Sequence, residues 1–312
     1  MIGQAMLNPN PDRRDAGRPF GWTRMLLALS FFALGLLWSA APAARAQENT
    51  RLIEEEPYDE IVLSDEYGAK RYKIEEVAWP DGLPPQNPDP NSSFQFRFFD
   101  DNEDLYEVSW RDIKEFIPFP RRVFNEAKAF VASGAYSRAY ENLIYLQTNY
   151  PKFPGIDELH QEFLYRNSVT FLRAGRVTEA LALIEELSFV DVNYRPSPAD
   201  PTAKDLVNQI ADRLMGEALD SNNYEMARNW IERFAREYGD SGLPSLSARR
   251  DQLTKISETL LGEALGHIDQ KRYRKGKELL RQAMRAWPDN PEIVRAAKRI
   301  DDEFPTVVVA VG

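Results

Sequence analysis

No cysteine occurs among the 312 residues, so the chain has no disulfide framework, thiolate nucleophile or soft-metal site. Histidine is nearly as scarce. His160 and His267 stand alone, far apart, and neither has the spacing of a His-Glu-x-x-His metal pair. There is no Gly-rich phosphate loop and no Gly-x-Ser-x-Gly elbow. Carboxylate pairs such as Asp100/Asp101 and Asp301/Asp302 fall in a polar turn and a terminal helix, where a solvated role outweighs acid–base work. Together these absences point to a non-enzymatic chain that requires no cofactor and no metal.

Positive charge is also in short supply: 39 Lys and Arg stand against 49 Asp and Glu, a net of −10. Such a chain repels phosphate backbones, which excludes nucleic acid as a partner. Its 43% hydrophobic content is that of an ordinary globular protein able to bury a core. The first 46 residues differ from the rest. Arg13, Arg14, Arg18 and Arg24 precede an uncharged run over 25–44, followed by Ala44-Arg45-Ala46. That order is a signal peptide over 1–46, with Ala44 and Ala46 forming the cleavage site. Twenty uncharged residues are also just enough to cross a bilayer, so an uncleaved anchor over 25–44 is the alternative and the sole route to a membrane. Either reading exports the chain, and export without cysteine suits a bacterial periplasm or cell envelope.

Residues 47–57 read as a flexible acidic lead-in. Residues 58–117 form a small β-module: runs at 61–63 and 72–77 flank a polar turn ending near Gly68, and runs at 94–98 and 105–110 bracket an acidic turn over 100–104. Phe94, Phe96 and Phe98 alternate with polar residues, so one face is buried. Five prolines in the connector 80–90 exclude helix and central strand there. Two hairpins are marginal alone, so they are expected to close as an SH3-like barrel or sandwich. From 118 to 304 the pattern is helical, and the fold class is α+β.

Within 118–304 one pattern is written four times. Gly134-Ala135-Tyr136 leads to Ala139, Leu143 and Leu146; Gly175-Arg176-Val177 to Ala180, Ile184 and Leu187. Asn222-Asn223-Tyr224 leads to Ala227, Ile231 and Phe234; Lys271-Arg272-Tyr273 to Gly276, Leu280 and Ala283. A turn former, an aromatic or Val, a small residue three on and large residues four and seven beyond it describe a repeated helix pair. The pattern resembles the tetratricopeptide repeat, with Ala127 and Ala264 at the small position of the first helix in units one and four. Spacings exceed the 34 residues of that family, Met215 replaces a small residue in unit three, and Gly276 and Lys271 depart from the pattern in unit four. Tyr136, Val177, Tyr224 and Tyr273 are expected in the core.

The resemblance implies a helical solenoid that binds a protein or peptide on a concave face lined by the first helix of each pair. Carried over residue by residue, that face presents Asn125, Lys128, Arg166, Arg173 and Arg213, a row suited to an acidic segment. The function implied is an exported scaffold or adaptor in the cell envelope. A final helix over 291–304 precedes Pro305 and a Val-rich run, 305–312, that reads as the opening strand of a further domain. This layout loosely resembles the front of long envelope proteins of planctomycete-type bacteria, some carrying a transporter-type solute-binding domain. The alternative function is therefore the accessory region of an extracellular solute-binding protein.

Overall fold

The computed structural model describes residues 51–303. The signal segment with Ala44 and Ala46, and the strand expected over 305–312, lie outside the described residues. The chain divides into two compact units after Glu54. The second unit runs from Glu55. Among its described residues, a five-stranded antiparallel sheet is followed by nine helices, an α+β arrangement.

The strands are β1 (Tyr58–Leu63), β2 (Arg71–Glu75), β3 (Ser93–Phe98), β4 (Asp101–Ser109) and β5 (Ile113–Ile117), in the order β4-β3-β2-β1-β5. Two features depart from expectation. The acidic stretch 100–104 is mostly strand, because β4 starts at Asp101 and pairs it with Phe98. The lead-in to the helices also holds a fifth strand, which returns beside β1 with Ile61 opposite Phe116. The sheet is open, with β4 and β5 at its two ends. It is nonetheless strongly curled, since Phe116 of β5 meets Phe94 of β3 at 5.6 Å between ring centroids. Ile61, Ile74, Phe94 and Phe96 are buried in one cluster, against which Trp79 and Trp110 pack.

A buried carboxylate fixes where the sheet hands over to the helices. Asp59 on β1 is fully buried. Its Oδ2 accepts from Val77 N at 2.9 Å and its Oδ1 from Phe119 N at 2.7 Å. Phe119 opens α1 (Phe119–Ser133), which has no cap from its own preceding side chain. Asp59 thus supplies, from a distant strand, the acceptor that a helix N-terminus lacks. Arg122 one turn on donates to the Tyr58 carbonyl and hydroxyl and lies 4.0 Å over the Tyr58 ring. Burial pushes the Asp59 carboxyl up to about 6, outweighing the two backbone bonds that favour its ionised form.

The remaining helices are α2 (Tyr136–Asn149), α3 (Ile156–Arg173), α4 (Val177–Val190), α5 (Ala203–Asp220), α6 (Tyr224–Tyr238), α7 (Pro244–Asp269), α8 (Tyr273–Ala286) and α9 (Pro291–Glu303). Each of the four motif copies opens the second helix of a pair. Its turn former is left-handed every time: Gly134 at φ 77°, Gly175 at 78°, Asn222 at 57° and Lys271 at 61°. The next amide then reaches back five residues in all four copies. Ala135 donates to Phe130, Arg176 to Phe171, Asn223 to Ala218 and Arg272 to His267, at 2.8–2.9 Å. Such bonds close the preceding helix and reverse the chain.

Each pair packs internally and each touches the next. The small and large motif positions from Ala139 to Ala283 are all buried. The aromatic position behaves differently: Val177 is buried, but Tyr136, Tyr224 and Tyr273 are only half-buried rather than in the core. Polar ties join successive pairs. Arg233 of α6 holds both oxygens of Glu185 on α4 at 2.7 and 2.8 Å, and Arg249 of α7 holds Asp212 of α5 at 2.7 Å.

Gly276, where the repeat pattern otherwise has alanine, marks a tight crossing. A Cβ there would lie 2.6 Å from Ile268 Cγ1 and 3.1 Å from the Ala264 carbonyl. On a thermal melt Gly276→Ala should destabilise by about 1–3 kcal/mol through overpacking. By contrast Gly262, on α7 with nothing within 4 Å of a built Cβ, should gain about 0.4–1 kcal/mol when changed to Ala. A raised melting temperature for Gly276→Ala would contradict this packing. Asp59 makes a second prediction. Its folded-state value near 6 exceeds the unfolded 3.8, so the native state binds the extra proton and stability falls as pH rises from about 4 to 6. Asp59→Asn removes that dependence, and the stability gap between parent and variant should widen as pH drops from 7 to 4. A gap indifferent to pH would refute the assignment.

Candidate functional site

The five side chains proposed for a concave row all lie on first helices and all are exposed. Asn125 and Lys128 share a face of α1, three residues apart. Arg166 and Arg173, seven apart, share a face of α3, and Arg213 lies on α5. Their charges are not equally free. Arg166 Nε donates to Glu162 at 2.7 Å and Arg213 Nε to Glu217 at 2.8 Å, both within one helical turn. Arg213 Nη1 also reaches the Leu172 carbonyl at 3.4 Å, beside Arg173 at the end of α3. Among the described residues Lys128 and Arg173 make no ion pair. The structure therefore brings Arg213 to the last turn of α3, and compensates two of the four cations internally.

A larger concavity opens elsewhere. An open groove of about 760 Å³ runs between α2, α3 and α4. Its floor is Phe163, buried at 3% exposure. Tyr140 stacks on that ring at 5.9 Å, His160 stacks on it at 6.1 Å, and Tyr136 meets it edge-on at 6.1 Å. The Tyr136 hydroxyl lies 3.2 Å from Thr170 Oγ1, whose own proton goes to the Arg166 carbonyl, so the tyrosine donates. At one end Arg176 sits 4.2 Å over the Phe171 ring while bonded to Glu179. At the other, His160 Nε2 is 3.7 Å from Glu186.

This groove joins two successive pairs, since α2 closes the first and α3 and α4 make up the second. Tyr140 and Ile144, four apart on α2, keep 49% and 41% of their surface exposed within it. Leu183 and Glu186, three apart on α4, line its other wall. Large apolar side chains left in the open beside an aromatic floor form a surface of the kind that receives another protein.

The signal for this site was present in the amino-acid order. Tyr140 and Ile144 each directly follow a buried motif position, Ala139 and Leu143, which places them just outside the core stripe of α2. The tetratricopeptide resemblance points to first helices, whereas one wall of this groove is a second-helix face, that of α2.

The described residues include no cluster of three or more His, Asp or Glu side chains able to hold a metal. No described helix is long and apolar enough to cross a membrane. In comparisons with known proteins, no family model, no curated protein and no solved structure matches the chain.

Proposed function

We propose that this chain is an exported, non-enzymatic adaptor of the cell envelope whose helical part is a tetratricopeptide-like solenoid that holds a protein partner. The observation that carries the reading is the groove between α2, α3 and α4: about 760 Å³, open, aromatic at its floor, and flanked by exposed Tyr140 and Ile144. An open trough with an aromatic floor suits anchor side chains from a partner segment, while the polar Ser137, Gln147 and Thr170 in its lining suit hydrogen bonds to that segment's backbone.

The solenoid reading draws support from the left-handed elbow repeated in all four units and from the contact of each pair with the next. For the sheet we propose an SH3-like module, supported by a five-strand meander whose last strand returns beside the first and by its strong curl. Export rests on the arginine-apolar-Ala-x-Ala order of residues 1–46. An acidic partner segment at Lys128 and Arg173 is compatible with the same solenoid, but the apolar groove is the better-formed surface.

Tyr140→Glu combined with Ile144→Glu places two charges in the groove; because both side chains are about half buried and Tyr140 stacks on Phe163, the variant should lose about 1–3 kcal/mol yet remain folded by circular dichroism. Proteins captured from envelope extract by the parent should be lost by this variant. They should persist with a variant lacking the Lys128, Arg166 and Arg213 charges. Capture unaffected by the groove charges but abolished by removing the three cations would overturn the groove in favour of the cationic row.

A further inference from the structure

The charge of the chain is unevenly laid out. Residues 51–269 hold 24 Lys and Arg against 40 Asp and Glu, whereas residues 270–299 hold 10 against 3. The cationic stretch spans the α7–α8 turn, α8 and most of α9. On the preceding helices many arginines are matched by neighbours, as with Arg166–Glu162, Arg228–Glu232, Arg233–Glu185 and Arg250–Asp240. In the last pair the pattern changes. Lys271, Arg274, Lys275, Arg281, Arg285 and Lys298 are exposed and, among the described residues, none forms an ion pair.

The complement lies at the start of the same chain. Asp100, Asp101, Glu103, Asp104 and Glu107 are exposed along β4 and the turn before it, and none forms an ion pair among the described residues. β4 is an end strand of the sheet, so one side of its backbone is also unpaired. Leu105 in its middle is 59% exposed. No ion pair links these carboxylates to the cations of α8 and α9 within one chain. Six exposed cations of the α7–α8 turn, α8 and α9, with Glu278 among them, and five exposed carboxylates of β4 and the turn before it are without an ion partner among the described residues of one chain, and can be satisfied together when a second copy approaches.

We propose that the cationic face of α8 and α9 docks on the acidic β4 edge of a second copy of this chain. The contact is heterologous, because each copy uses one surface to give and another to receive. It therefore builds a head-to-tail series rather than a closed twofold dimer. Phosphate polymers and anionic bilayers would also meet the cations, but both would face repulsion from the acidic remainder of the chain. A second copy brings its complement with it. The contact is separate from the groove between α2 and α4, so an adaptor assembled this way would present that groove repeatedly.

No unidentified partner is needed to test this: the full chain is followed by light scattering coupled to size exclusion, at about 50 mM and about 500 mM NaCl. The parent should grow in mass with concentration at low salt and become monomeric at high salt. Lys275→Glu with Arg281→Glu and Lys298→Glu should weaken self-association at least about tenfold, and so should Asp101→Lys with Glu103→Lys and Glu107→Lys. All six positions are exposed, and circular dichroism checks that both variants remain folded. The decisive arm is an equimolar mixture of the two variants, in which each reversed surface meets its new complement and association should return. A parent that stays monomeric at low salt, an association insensitive to salt, or a mixture that fails to associate would each overturn the proposal. Retention of a monomeric parent on anionic vesicles, lost in the Lys275/Arg281/Lys298 variant, would assign the cations to a lipid surface instead.

Discussion

The elbow between the two helices of each pair is the constraint on which the helical body depends. One residue must enter the left-handed region, and the amide after it must reach a carbonyl five residues back. Gly134 and Gly175 meet that demand without steric penalty; Asn222 meets it at modest cost; Lys271 carries a Cβ into a region that L residues avoid. Once the elbow is set, Ala139, Ala180, Ala227 and Gly276 fall at the point where the two helices cross, and a small side chain is required there. The buried large residues four and seven positions further then fill the space between the helices.

The sheet is tied to this helical body by chemistry rather than by a simple apolar seam. Asp59 places a carboxylate where both a strand exit and a helix start need an acceptor, and Arg122 lies across Tyr58 beside it. The proline-rich connector adds a second tie: Gly82, at φ 67°, brings its backbone close to Phe153 and Pro120, and Tyr150 bonds Glu76 at the exit of β2. A junction with a buried charge and several specific bonds costs desolvation, yet it fixes one orientation of sheet on helices. The first pair, and with it the groove beyond α2, is therefore held relative to the sheet.

The helical pairs were legible because their determinants are local: the turn former, the small residue and the apolar spacing all lie within about a dozen residues. The alternation of Phe94, Phe96 and Phe98 disclosed a buried sheet face for the same reason. β5 escaped notice because its residues, Ile113-Lys114-Glu115-Phe116-Ile117, form a strand only through pairing with β1, some fifty positions earlier. The acidic run at β4 reads as turn because its composition masks the pairing with β3 that makes it strand. The role of Asp59 was invisible, since nothing in sequence announces a cap supplied from sixty residues away. Of the candidate site, the exposed cations lie on first helices, and the i,i+4 pairs that compensate Arg166 and Arg213 are local, whereas the groove at Phe163 arises from contacts between helices that no local pattern encodes.

Amide hydrogen exchange at Ala135, Arg176, Asn223 and Arg272 tests the repeated elbow most directly, because each of these amides is bonded only if its turn closes as described. All four should be protected by about a hundredfold or more over an unstructured chain. Exchange at the rate of a free chain at two or more of them, with the adjoining helices still protected, would contradict the account.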